Sequence, residues 1–492
     1  MTPLSQADGR IAPTPQTLRW DPVAEETVER IHHASLQVLE RTGIALMHDQ
    51  ILKRLETEGC IVDHDAKRVR FPRQLIEEAI ARAPRNYMLA GRDSACDIAL
   101  DGTNTFLTLD GCASDVLDPV TDEMRPSTKL DLERATRLAD AIPEVTIAWQ
   151  PCAARDVPTA VQPLHEMEAQ FRNTSKHMMQ MTVIEAHHAR AAVEMAALAA
   201  GGEQALRDRP ILSGFQCSLS PLVFDGGPVE SAIIYAEAGL PSGWVAMPLT
   251  AATAPMTVAG TLVLQNAELL AGMALVELLV PGAPTFYGVC TSTMDLNTGS
   301  LSLGFGPEEQ LFSFASGQLA RRYGVPSLLG AFGTGAKTAD YQDGAQNAVG
   351  WFSSLLAGAD MVCATGTIYG GRVFAYEQEL LDAELLGITR EMAVGIPVDR
   401  EALAVDVIDA VKPGGHFLDQ DHTLAHMRDL WQTALFNRES WEDWEAAGRP
   451  EPKHKARERA MQIIDEHEPL PLPEGVEDGI RAIVANHEAN VA

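Results

Sequence analysis

Side chains able to do chemistry gather just after a series of short apolar runs in this chain. The charged ones are few: Asp110, Asp295, Lys337, Asp340, Arg372 and Glu377. The aromatic ones are Phe215, Trp244, Tyr287, Phe332, Tyr369, Phe374 and Tyr376. Little charge among many Gly, Ser, Thr and aromatic residues suits a small ligand held by shape, hydrogen bonds and ring faces. Several rings together could box a quaternary ammonium, where cation–π attraction contributes roughly 0.5–2 kcal/mol. Phe215, Tyr287, Phe332, Tyr369 and Tyr376 are the candidate ligand contacts, with Gln216 as a hydrogen-bonding neighbour; aromatics of this kind also serve simply as core. Asp340 and Glu377 are the candidate catalytic carboxylates, balancing a cation or orienting it, and capped turns or salt bridges are the competing reading. Lys337 could meet a carboxylate on the ligand, or stand in solvent. Cys217, Cys290 and Cys363 fall at run ends and His177 begins another, so a zinc site is conceivable; cysteine is also common in buried strands. His32–His33, His187–His188 and a stripe of Thr261, Gln265, Glu268 and Gly272 read as packing or polar helix faces.

Elements must bring these residues together. The runs are Thr105–Leu109, Val145–Gln150, His177–Thr182, Ile211–Cys217, Trp244–Met247, Thr285–Val289, Ser327–Ala331 and Met361–Ala364. Their spacing is that of successive βα units, and helical patterns such as KLDLERATRLADAI and DGAQNAVGWFSSLLAG separate them. Continuous apolar strands divided by helices imply a parallel sheet covered on both faces. Eight of them predict a closed (β/α)₈ barrel, the TIM-barrel class of α/β fold, over residues 101–398. Its reactive residues would lie at the strands' C-terminal ends. A GxGxxG turn after the first strand, expected of a doubly wound sheet, does not occur. Residues 1–22 read as a loose Pro-rich arm, 23–100 as a helical and hairpin extension, and 399–492 as a charged helical segment outside the barrel, a flap or subunit contact.

Composition narrows the partners. Lys and Arg total 38 against 68 Asp and Glu among 492 residues, a net charge of -30. That field repels a phosphate backbone, so no nucleic-acid partner is expected. The seven cysteines are scattered, with no CxxC pair, which fits a reducing compartment. No secretory signal is visible at the N-terminus. The apolar stretch from Val258 to Val280 contains Gln265, Asn266, Glu268 and Glu277, too polar for lipid. A cytoplasmic protein with no membrane partner is expected.

Nine segments in order resemble the trimethylamine methyltransferase family. They are VRFPRQLIEEAIARAP with GRD at 91–93, RPSTKLDLERATRLADAIP, NTSKH at 173–177, SPLVFD at 220–225, PLTAATAPMTVAGTLVLQNAE, MDLNTGSLSLGFGPEE, KTADYQDG at 337–344, FAYEQELLDAE at 374–384 and GGHFLDQDHTLAH at 414–426. The resemblance implies a (β/α)₈ barrel that moves a methyl group from a methylated amine to the cobalt of a corrinoid (cobalamin) on a separate partner protein. It further implies no bound metal in the chain itself, and self-association into a homo-oligomer is expected. The founding enzymes of the family carry pyrrolysine in a loop matching Phe332–Asp340, where this chain has standard residues only. That departure implies a quaternary ammonium such as glycine betaine, whose nitrogen is already an activated leaving group, and a similarity to the family's non-pyrrolysine members. Two other readings stay open: a zinc-dependent barrel that methylates a thiol, and a betaine-binding protein without catalysis.

Overall fold

The computed structural model describes residues 10–491 apart from 112, 182, 305, 331 and 332. Eight parallel strands form its centre: β1 Asn104–Leu109, β2 Val145–Trp149, β3 His177–Gln180, β4 Leu212–Cys217, β5 Ser242–Ala246, β6 Tyr287–Val289, β7 Ser327–Gly330 and β8 Met361–Thr365. Each pairs with the next, and β8 returns to β1 with Met361 opposite Phe106 and Val362 opposite Leu107. The sheet is therefore closed, and its edges vanish except where Thr14–Pro15 lies antiparallel on β1. The strands are buried along nearly their whole length, which explains their unbroken apolar runs. All eight strands expected from the sequence are present.

A long helix follows each strand: α1 Lys129–Ala141, α2 Gln162–Asn173, α3 Ala186–Ala200, α4 Gly226–Glu237, α5 Val258–Leu279, α6 Pro307–Tyr323, α7 Tyr341–Leu356 and α8 Tyr376–Val394. Local chemistry sets their starts. Thr128 and Asp131 form a reciprocal capping box on α1, Asp225 caps α4, Thr257 caps α5, and Pro307 occupies the first turn of α6. α5 is long and apolar enough to cross a membrane, yet nearly all of it is buried inside the protein.

The flanking parts brace the barrel. Helix Glu25–Arg41 packs on α5, and the hairpin Ile61–Asp63 with Arg68–Arg70 lies beside it. The described part of the 1–22 arm is docked rather than loose: Ala12 N–H donates to Pro143 O, Trp20 N–H to Leu356 O, and the Trp20 ring meets Phe314 at 5.0 Å. Beyond the barrel, α9 (Pro452–Glu466) packs on α8 and α1, and α10 (Val476–Val491) on α2 and α3. Between α8 and α9, the short helices Arg400–Leu403, Val405–Val411 and Asp421–His426 bury none of their own residues.

Candidate functional site

A cavity of about 450 Å³ opens at the C-terminal ends of the strands. All eight strands or their following turns contribute to it, through Asp110, Trp149, Met181, Phe215, Val245, Cys290, Gly330 and Ala364 among others. Loop and helix residues, including Leu303, Glu309 and Phe312, complete the wall. Its surface is mainly carbon and sulfur. Trp149 and Phe215, at the ends of β2 and β4, meet edge to face with centroids 4.6 Å apart. The indole lies so close to Gly111 that any side chain there would overlap its ring. A smooth aromatic corner results.

Two carboxyl groups interrupt this apolar lining. Asp110 Oδ1 accepts the Gly111 N–H at 2.8 Å, and Oδ2 accepts the Thr367 hydroxyl at 2.7 Å. Burial pushes its carboxyl above the usual range despite those donors. Gly371, at φ +78°, passes close enough that a Cβ would sit 3.1 Å from Asp110 Oδ2, so both its backbone and its space favour glycine. Glu309 lies in the first turn of α6, and one of its oxygens accepts the Gly304 N–H. The other oxygen, Oε1, is buried with no hydrogen-bond partner among the described residues. Burial pushes the Glu309 acid up to about 8, and the neighbouring Glu308 adds to the shift.

The structure separates the residues singled out from the sequence. Phe215 is in the cavity wall; Phe332 lies outside the described residues. Tyr287 points the other way, into the layer between barrel and helices, where its hydroxyl donates to Asn266 Oδ1 of α5 at 3.0 Å. Tyr376 is likewise buried between helices, its hydroxyl 3.2 Å from Asp131 Oδ1 of α1. Gln216 is buried and accepts the Val183 N–H, tying the β3–α3 turn to β4. Asp340 caps α7 by accepting the N–H groups of Gln342 and Asp343. Glu377 is buried against the guanidinium of Arg457 from α9. Neither acid is in the described cavity lining, because one is committed to a helix end and the other to an interhelical ion pair.

Tyr369 and Lys337 stand at the rim, each engaged with the other. The Lys337 ammonium sits 4.4 Å from the Tyr369 ring centroid and also donates to Gly335 O. Tyr369 adopts φ +54°, a left-handed backbone uncommon for a bulky residue, held by its N–H on Ala336 O. Gly370 N–H on Thr334 O completes a clamp between the β7 and β8 loops.

The sulfur residues do not converge as a zinc set. Cys217 and Cys290 line the cavity, and Cys290 Sγ is 3.6 Å from Cys363 Sγ. His177 is elsewhere: its ring bridges Ala90 O and the Ser213 hydroxyl, each within 3 Å. Among the described residues, no three His, Cys, Asp or Glu side chains gather to hold a metal ion. Glu268, from the polar stripe on α5, accepts the hydroxyls of Ser218 and Ser220 and the Leu222 N–H, and so anchors the loop after β4.

The family model for trimethylamine methyltransferase (MTTB) matches residues 5–492. The chain belongs to the trimethylamine methyltransferase family. A trimethylamine methyltransferase MttB of Desulfitobacterium hafniense (strain DSM 10664 / DCB-2) is 35% identical over 465 residues, covering 94% of this chain and 93% of that protein. A glycine betaine methyltransferase of Desulfitobacterium hafniense (strain Y51) is 31% identical over 476 residues, covering 96% and 98%. An MttB of Methanosarcina thermophila is 29% identical, covering 91% and 93%. Some residues of the segments that carry the family resemblance pin the end of the barrel opposite its mouth, where the strands begin. Lys176, for example, is buried with its ammonium on three carbonyls, those of Ala139, Ile142 and Val145, at 2.6 Å each. Trp149 and Glu309 are among the cavity residues that escaped the sequence reading. Trp149 is hidden as the last ring of an apolar run, and Glu309, within the GPEE segment, reads as an ordinary first-turn acid.

Proposed function

We propose that this family member transfers a methyl group from a methylated ammonium, quaternary or tertiary, to the cobalt of a corrinoid carried by a separate protein. The observation that carries the reading is the cavity of about 450 Å³ at the strand ends, where the Trp149–Phe215 corner and buried carboxyls meet an otherwise apolar wall. Alkylated nitrogen spreads its positive charge over its methyl groups, so it suits ring faces and thioethers better than a water-filled acidic site. In this proposal the reduced cobalt is a second substrate and supplies the nucleophile.

The chain's own tasks are binding, orientation and exclusion of water. Transfer requires the reacting atoms roughly 3–3.5 Å apart and in line, so the ammonium must be held with one methyl toward the mouth. In this reading the aromatic corner and the sulfur-lined wall contact the cation. Interactions must stay moderate, because the amine leaves neutral and any excess stabilisation of its positive charge slows the departure. A pair of rings with only two carboxyl groups in the described lining meets that requirement. The reading includes a cytoplasmic site of action and a homo-oligomer.

The experiment is direct. Purified protein is mixed with reduced corrinoid and, separately, trimethylamine, choline, carnitine, tetramethylammonium, glycine betaine and proline betaine. Methyl–cobalt absorbance and the mass of the demethylated amine are then followed. Transfer from at least one amine is expected. Binding without transfer would favour a non-catalytic protein, and stoichiometric zinc in the active preparation would favour the thiol-methylating alternative.

A further inference from the structure

The charge of the cavity wall, taken together with the methyl-transfer reading on which this step rests, speaks to the substrate class. We propose that the ligand is an alkylammonium cation lacking a carboxylate, with Glu309 as its principal charge partner, and that the site discriminates against betaines.

The described lining contains two carboxyl groups, Asp110 and Glu309, and no Lys, Arg or His. Two basic side chains of the β7 and β8 loops are committed elsewhere. Lys337 lies over the Tyr369 ring and donates to Gly335 O, and Arg372 Nε pairs with Asp115 Oδ2 at 3.1 Å. Glu309 has one oxygen satisfied by a backbone N–H and the other buried without a hydrogen-bond partner among the described residues, an arrangement that costs free energy until a donor or a cation arrives. Asp110 is held by neutral donors alone, so it adds negative potential without a counter-charge of its own.

An ammonium entering this space restores charge balance. A betaine brings the same ammonium and, one carbon away, a carboxylate that would enter beside two acids with no guanidinium or ammonium to receive it. Like charges in a poorly hydrated cavity repel far more strongly than in water. Glycine betaine is tetramethylammonium with one hydrogen replaced by a carboxylate, so the two compounds isolate this single difference.

Calorimetric titration of the full-length protein with tetramethylammonium chloride and with glycine betaine tests the proposal at about pH 8.5, where an acid of pKa about 8 is mostly ionised. Tetramethylammonium should bind about tenfold tighter or more, the scale of one charge-assisted contact. In Glu309→Gln, with folding checked by thermal melting, the preference should shrink to within about threefold. Equal or tighter binding of glycine betaine by the wild-type protein overturns the proposal, whether or not the variant folds. Selective loss of betaine binding in Lys337→Met would overturn it too, by showing that the lysine swings in. Methyl transfer separates the two claims. Transfer from glycine betaine but not tetramethylammonium sinks the substrate class and keeps the reaction, whereas tight tetramethylammonium binding with no transfer from any amine sinks the reaction.

Discussion

Phe215 and Tyr287 are both aromatic residues of apolar strands, yet only one meets the cavity. Side chains alternate between the two faces of a strand, and a strand buried on both faces gives no polar marker of which face is inward. Composition therefore placed both near the mouth, while the pleat sends Tyr287 to Asn266 and Phe215 to Trp149. Their substitutions should differ accordingly. Phe215→Leu keeps an apolar filler but removes a ring face, so tetramethylammonium affinity should fall by about 0.5–2 kcal/mol, roughly 2- to 30-fold, in calorimetry. Tyr287→Phe should leave that affinity unchanged and lower unfolding stability by about 0.5–1.5 kcal/mol, the worth of one buried hydrogen bond, read from denaturant titration. Glu309 adds a pH dependence. Its folded pKa of about 8 lies above an ordinary carboxyl's, so the stability tied to its protonated form is fully present at acid pH. That contribution is lost as pH rises through about 8, so the ligand-free protein should melt lower at pH 8.5 than at pH 5.5. Glu277, raised to about 7 by burial, and Asp343, also raised by burial, add to the same slope, so Glu309→Gln should reduce it without abolishing it. Cation binding should show the opposite trend, tightening as Glu309 ionises with Glu308 beside it and Asp110 also lining the cavity.

At the scale of elements, the strand–helix rhythm was legible because each feature has a local cause: an apolar run, a capping residue, a helical period. The roles of Asp340 and Glu377 were not legible, since an acid beside a helix start has the same sequence signature whether it caps, pairs or reacts. Long-range partners decided the matter, such as Arg457, 80 residues beyond Glu377. Asp340→Ala should cost about 1 kcal/mol by removing the α7 cap, with cation affinity retained, as thermal melting and calorimetry would show. Arg457→Met should cost about 3–5 kcal/mol, because it strands a buried carboxylate between α8 and α9. A loss confined to the catalytic rate would instead return Glu377 to the chemistry.

On the scale of the whole molecule, the charge of -30 attracts small cations to the protein, an effect that salt screens. Tetramethylammonium affinity should therefore weaken from low to physiological ionic strength. The arm between α8 and α9 exposes Leu418 (87%), Leu424 (71%) and Leu430 (73%) while its short helices bury nothing of their own. Sedimentation velocity tests the proposed homo-oligomer: a species larger than 53.2 kDa is expected, and Leu418→Glu should disrupt it where this arm is the contact. The central claim is that the barrel mouth presents one methyl of a bound ammonium to an external cobalt. It is tested most directly by mixing the protein with reduced corrinoid and the amine panel while counting methyl–cobalt formed and amine demethylated. One methyl–cobalt should form for each amine that loses a methyl, with tetramethylammonium yielding trimethylamine. No methyl–cobalt from any methylated amine, with the cation bound and the corrinoid reduced, would contradict it.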